Sequence, residues 1–197
     1  MVLQEKAQPQ SKLITVDEYW ELVNLPENRD KRLELVGGVL IEVAPSSTTN
    51  TIIAAWFTTF MNIYLLDHPI GYVSAPDGGF KMINGNIRQP DAAFISKARY
   101  PKPGDKVFPI APDIAVEVIS ASESAKEVRD KVHEYLQSGT IFVWVAYPET
   151  RSIDVCSLNP DGTMTIRTLN PGDSLGGGDV LPGFSVLIDK FFPTEEA

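Results

Sequence analysis

Apolar residues recur at two spacings along the chain, and a few carboxylates interrupt them. Within the stretch Pro112–Ser120 (PDIAVEVIS), the five apolar residues of Ile114–Ile119 surround one carboxylate, Glu117. A run of this length fits a strand covered on both faces. An ionised carboxylate inside it costs several kcal/mol unless it is paired, hydrogen-bonded or bound to a metal. A second strand starts at Pro90, which cannot donate to a ladder and so belongs at a strand end. Asp91 follows it, ahead of Ala92, Ala93, Phe94 and Ile95. A third buried strand is expected over Ile141–Ala146.

Helical spacing is expected in three places. Thr15 and Glu18 have the separation of a capping box, with Tyr19, Leu22 and Val23 as the buried stripe and Pro26 as the stop. Thr51–Leu66 carries Ile53, Trp56, Phe57, Phe60 and Tyr64 as a packing helix, closed by Asp67, His68 and Pro69. Ser120–Ser122 caps a helix over Glu123–Ser138 that ends at Gly139, with Val128, Val132, Tyr135 and Leu136 inward. Glu127, Lys131 and Tyr135 follow at i, i+4 and i+8, which places Lys131 on the flank of that face, within reach of the sheet.

Between these elements lie hairpins and loops. Gly37-Gly38 joins two apolar runs, Arg32–Val36 and Val39–Val43, as a two-residue hairpin turn. In that register Glu34 faces Ile41 and shares a face with Val36, Val39 and Val43. Tyr72–Ile83 forms two short extended pieces around Pro76–Gly79. Tyr100–Ala111 is loop. Ser152–Leu158 and Thr163–Leu169 form a C-terminal hairpin across Asn159–Gly162. Residues 171–183 read as loop, ahead of a short strand over Ser185–Ile188.

At 197 residues the chain is expected to hold one domain over residues 13–192, with loose tails at 1–12 and 193–197. The longest apolar run is broken by Thr58, Thr59 and Asn62, so no membrane span is expected. The first ten residues lack the apolar core of a secretory signal, and Cys156 has no intrachain partner, so a cytoplasmic location is the default. The formal net charge is −9. That argues against a protein that coats nucleic acid non-specifically, though not against one that meets it through a local patch and a bound cation.

Asp91 and Glu117 carry the chemistry if their strands are neighbours. Two close carboxylates repel, and a hard divalent cation between them removes the conflict. Such an ion polarises phosphoryl oxygens and acidifies bound water. A nearby ammonium, for which Lys131 is best placed, stabilises developing charge. Taken singly, each has a plain structural alternative: Asp91 as a turn residue, Glu117 as a paired buried glutamate, Lys131 as a solvated lysine and Glu34 as a strand-edge glutamate reaching water. Other chemistries lack their parts. His68, His133 and Cys156 do not make a zinc cluster. Gly176–Gly178 lacks the strand–turn–helix context of a dinucleotide site. No serine sits in a G-x-S-x-G elbow.

Pro90-Asp91 followed by Glu117-Val118-Ile119 resembles the PD-(D/E)xK nuclease pattern, with Ile119 where its simplest form has lysine. The chain is more similar to the Uma-two family of restriction endonucleases. Glu34-Leu35-Val36-Gly37-Gly38 resembles the family's hairpin. Pro112–Ser120 resembles its glutamate strand. Lys131-x-x-x-Tyr135-x-x-x-Gly139 resembles its helix end, and Leu181-Pro182-Gly183-Phe184 its closing motif. The match runs from about Thr15 to Phe192. Asn50 stands where members often have histidine, and Ser120-Ala121-Ser122 replaces their S-P-S.

The resemblance implies an α/β restriction-endonuclease-like fold, a central mixed sheet flanked by helices with an N-terminal hairpin and a C-terminal hairpin. It implies Mg2+-dependent endonuclease activity, with Mn2+ as a substitute, on nucleic acid and foremost duplex DNA. Asp91 and Glu117 would bind the metal, Lys131 would stabilise charge or orient water, and Glu34 would support the site as a further metal or water ligand. It also implies a homodimer, which suits the two strands of a duplex. The alternative is a catalytically inactive nuclease-fold protein that serves as a binding or assembly module.

Overall fold

The computed structural model describes residues 13–120 and 123–193; the expected tails lie outside them, apart from Pro193. The central element is a six-stranded mixed sheet. In chain order its strands are β3 (Gly71–Ser74), β6 (Ala92–Ser96), β7 (Ile114–Val118), β8 (Phe142–Tyr147), β9 (Ser152–Leu158) and β10 (Met164–Leu169). Their spatial order is β10-β9-β8-β7-β6-β3. Only β7 and β8 run parallel, and the connection between them is helix α3 (Ala125–Gln137).

The side-chain period of two divides the core between the two faces. Phe94, Val116, Val118 and Trp144 point to the face covered by helix α2 (Thr48–Asp67), where they meet Ile53, Phe57 and Met61. Ala93, Ile95, Ala115, Val143 and Val145 point to the other face, against Val132, Tyr135 and Leu136 of α3. By the same alternation Glu117 belongs to the α3 face, while Asp91 sits just before the first residue of β6.

A smaller sheet adjoins this frame, in the order β2-β1-β5-β4, from β1 (Leu33–Val36), β2 (Val39–Glu42), β4 (Phe80–Lys81) and β5 (Ile87–Arg88). The β1–β2 turn has the expected register, Glu34 opposite Ile41 and Val36 opposite Val39. Gly37 and Gly38 both have positive φ, +58° and +75°, as a two-residue turn of this hand requires. The burial differs from expectation. Val39 and Ile41 are about half exposed, whereas Leu33, Glu34 and Leu35 are all buried. Helix α1 (Val16–Val23) has the Thr15–Glu18 capping box and packs Tyr19 against Leu35 and Ile87.

Three further expectations are revised. The cap of α3 is Ser124, whose hydroxyl accepts from the Glu127 N–H. Ala121 and Ser122 lie outside the described residues, and Ser120 instead turns onto Glu123. Trp56 does not face the core; it is 41% exposed on the outer side of α2. Part of the stretch read as loop is a hairpin, β11 (Ser174–Gly177) with β12 (Leu181–Leu187), because the backbone bonds of a glycine-rich strand leave no side-chain pattern in the sequence.

Candidate active site

Strands β6 and β7 are antiparallel, with Ala92 opposite Val116. Asp91 lies just before this register: its N–H donates to the Val116 carbonyl (2.9 Å) and its Oδ2 accepts from the Val118 N–H (2.8 Å), so its two bonds bracket Glu117. The two carboxylates so placed open onto one cleft of about 160 Å3, lined also by Arg32, Asn50, Glu123 and Lys131.

Each carboxylate oxygen has one defined donor. Glu117 is 4% exposed. Its Oε2 accepts from Lys131 Nζ (2.7 Å) and its Oε1 from the Tyr135 hydroxyl (2.7 Å). Lys131 and Tyr135 are one helical turn apart on α3, which explains how both reach the same carboxylate. Asp91 Oδ2 accepts from the Val118 N–H (2.8 Å), and Oδ1 from Arg32 Nη1 (3.1 Å). The Arg32 guanidinium also donates to the Gln89 carbonyl, while its buried Nε meets no hydrogen-bond partner among the described residues.

Burial, opposed by Lys131 and reinforced by Asp91 and Glu34, pushes the Glu117 carboxyl up to about 7. For Lys131, burial favours the neutral amine, but the charges of Glu117 and then Glu34 outweigh it and hold the ammonium above its ordinary range. Tyr135 is raised well above a normal phenol by burial and by the same two carboxylates, so it remains a donor.

Glu34 is placed differently. It is not among the residues lining the cleft. Its Oε2 pairs with Arg88 Nη1 (2.8 Å) and its Oε1 accepts from the Gln89 N–H (2.9 Å). Arg88 also reaches Glu134 on α3, with Nε donating to Oε2 (2.7 Å), and Glu134 takes further bonds from Asn84 and Asn86. This buried network fastens the small sheet to α3. Glu34 acts on Glu117, Lys131 and Tyr135 through its charge.

Sequence reasoning missed Arg32, Tyr135 as a ligand of Glu117, and Asn50. The Asn50 amide donates to the Val118 and Ile119 carbonyls (3.2 Å each), tying the start of α2 to the end of the glutamate strand. The Lys131–Tyr135 spacing held the signal for the second of these. Nothing local marks Arg32, whose partner is 59 positions away.

A mixed sheet with helices on both faces, and a carboxylate–lysine cleft at the strand ends, defines the restriction-endonuclease-like class. A solved structure shares the fold: a putative nuclease belonging to DUF820 from Anabaena variabilis, with TM-score 0.76 and 19% identity over 91% of this chain and 97% of that one. The family described as "Uma2: Putative restriction endonuclease" matches residues 16–189, and the chain belongs to that family. No curated protein matches it.

Proposed function

We propose that this protein is a divalent-metal-dependent endonuclease that hydrolyses phosphodiester bonds in duplex DNA as a homodimer. The observation that carries the reading is that Asp91 and Glu117 open onto one cleft, with Lys131 bonded to Glu117 in it.

The residues fit a hard cation. All four carboxylate oxygens accept one hydrogen bond each, which leaves a lone pair on every one. Among the described residues no third His, Cys, Asp or Glu joins them as a ligand group. Two carboxylates with water completing the shell suit Mg2+ or Mn2+ better than a metal that needs nitrogen or sulfur. Asp91 and Glu117 would hold it, and it would supply charge to the phosphoryl oxygens and a more acidic water.

The chain's own groups have distinct tasks in this reading. Water adds to the phosphorus and gives up a proton, one P–O ester bond breaks, and the departing oxygen takes up a proton. Lys131 stays an ammonium and stabilises the charge that gathers on the phosphoryl oxygens. Tyr135 holds Glu117 in one orientation, and Arg32 does the same for Asp91. Arg32 also lines the cleft and offers a second cation to a phosphate.

The net charge of −9 favours the other reading, a fold kept for binding without catalysis. Supercoiled plasmid with Mg2+ or Mn2+ separates the two. The wild type should nick it, and Asp91→Ala and Glu117→Ala should not. Equal nicking by all three proteins, or no cation binding by the wild type at millimolar concentration in calorimetry, overturns the nuclease reading.

A further inference from the structure

Helix α2 is apolar on both sides. Ile53, Ala54, Phe57 and Met61 are buried against the sheet. The opposite side carries Ile52, Trp56, Thr59, Ile63 and Leu66, all exposed, Ile63 at 56% and Leu66 at 81%. Their spacing is four, three, four, three, the period of a coiled-coil seam. At about 100° per residue they fall in a stripe roughly 80° wide. No residue of α2 before Asp67 is charged. An exposed, uncharged stripe of this length differs from a scattered exposed leucine.

The stripe is its own complement. Turned end for end on a second α2, Leu66 meets Ile52, Ile63 meets Trp56, and Thr59 meets Thr59. This is the self-pairing a two-fold interface requires. The smallest of the five side chains sits at the midpoint, where two crossing helices come closest. Charge points to the same occupant. Two copies of a chain with net charge −9 repel at long range, and this face brings no like charges into juxtaposition.

We infer that α2 pairs antiparallel with α2 of a second copy, about a two-fold axis at Thr59. This gives the proposed homodimer its face. The inference rests on the nuclease reading for the use of the dimer, not for its existence. Asn50 lines the cleft, so the pairing sets the two clefts at opposite ends of the helix pair, roughly 27 Å apart along its axis at 1.5 Å per residue.

Sedimentation of the full chain from about 1 to 100 µM tests it. The wild type should be a dimer. Ile63→Glu and Leu66→Glu should each weaken the dimer by at least ~100-fold, since each change occurs twice in the interface. Their melting temperatures at monomer concentrations should match the wild type, because both side chains are exposed. Thr59→Cys should form a disulfide-linked dimer on mild oxidation, and Lys102→Cys, on an exposed loop, should not; the native Cys156 is buried. A wild type monomeric at 100 µM overturns the inference. So does a dimer that both glutamates leave intact, or equal crosslinking through Thr59→Cys and Lys102→Cys. A dimer that never nicks DNA overturns the cleft's reading alone, and a monomer that nicks overturns the pairing alone.

Discussion

Lys131 Nζ lies 2.7 Å from Glu117 Oε2, on the helix that follows the glutamate's strand and 14 positions away in sequence. The position two residues after Glu117, where the simplest PD-(D/E)xK pattern has its lysine, holds Ile119, part of the apolar packing beneath α3. The ammonium therefore reaches the carboxylate from the helix instead of the strand. Lys131→Met, which keeps the length and removes the charge, should reduce nicking by about 100- to 1000-fold, the scale for removing one stabiliser of transition-state charge. Lys131→Met combined with Ile119→Lys should recover part of that loss. Nicking rates at matched protein concentration, with circular dichroism to verify folding, measure both. An undiminished rate in Lys131→Met would remove the lysine from the mechanism.

The Glu117 carboxyl, pushed up to about 7, links stability to pH. Its folded pKa lies above the unfolded value of 4.5, so the folded state binds the proton more tightly. The associated stability is fully present below about pH 4.5 and is lost as pH rises through 7, to a total on the order of 3 kcal/mol. In the absence of divalent cations, the melting temperature should fall between pH 6 and pH 8. Glu117→Gln should flatten that fall. Mg2+ should raise the wild-type melting temperature more at pH 8 than at pH 6, because the cation competes with the proton for the carboxylate. Differential scanning fluorimetry across that range reads all three effects.

Glu34 should matter for the fold more than for the cation. Both of its oxygens are occupied, by Arg88 and by the Gln89 N–H, and removing one partner of a buried pair typically costs about 3–5 kcal/mol. Glu34→Gln keeps the shape and one acceptor, and should cost less, about 2 kcal/mol in urea unfolding. Calorimetric affinity for Mn2+ should change no more than about threefold. A loss of cation binding with stability intact would make Glu34 a ligand.

The difference between Glu34 and Glu117 shows what was legible in the sequence. Both stood out as carboxylates in apolar strands, and both are buried. Asp91 and Glu117 were expected to meet if their strands were neighbours, and helical spacing put Lys131 on the flank of the packed face, within reach of the sheet. Those relations are local or span one crossover. The Glu34–Arg88–Glu134 chain joins three elements whose meeting depends on how the small sheet docks against α3, and no periodicity encodes that. Trp56 was read as core because a helix apolar on every side has no dominant face for periodicity to find. The β11–β12 hairpin was missed because Gly176 and Gly177 contribute backbone hydrogen bonds and no pattern.

Tyr135→Phe isolates the other side of the Glu117 carboxylate. The phenol is fully buried and bonds Oε1, which no other donor of the described residues reaches. Its removal leaves a buried acceptor one hydrogen bond short, at about 1–3 kcal/mol of stability. Nicking should fall by about tenfold, less than in Lys131→Met, because the charge in the cleft is unchanged. Denaturation and nicking together decide the point. A stability loss with a full rate would leave Tyr135 a packing residue.

Arg32 and a metal would compete for the same oxygen. The guanidinium bonds Asp91 Oδ1 (3.1 Å) and lines the cleft, so a cation seated on Asp91 meets an adjacent positive charge. Before any metal binds, Arg32 and Lys131 face the carboxylates of Asp91, Glu117 and Glu123; a divalent ion turns that balance from net negative to net positive, the sign that suits a phosphodiester. Arg32→Gln should therefore bind Mn2+ more tightly in the absence of nucleic acid, by about threefold to tenfold at the effective dielectric of a partly buried site. The same variant should nick more slowly at low DNA concentration, because it has lost a cation from the phosphate's side. Calorimetry with Mn2+ alone and the dependence of rate on plasmid concentration measure these opposed effects. If both parameters move together, Arg32 serves only to hold Asp91 in place.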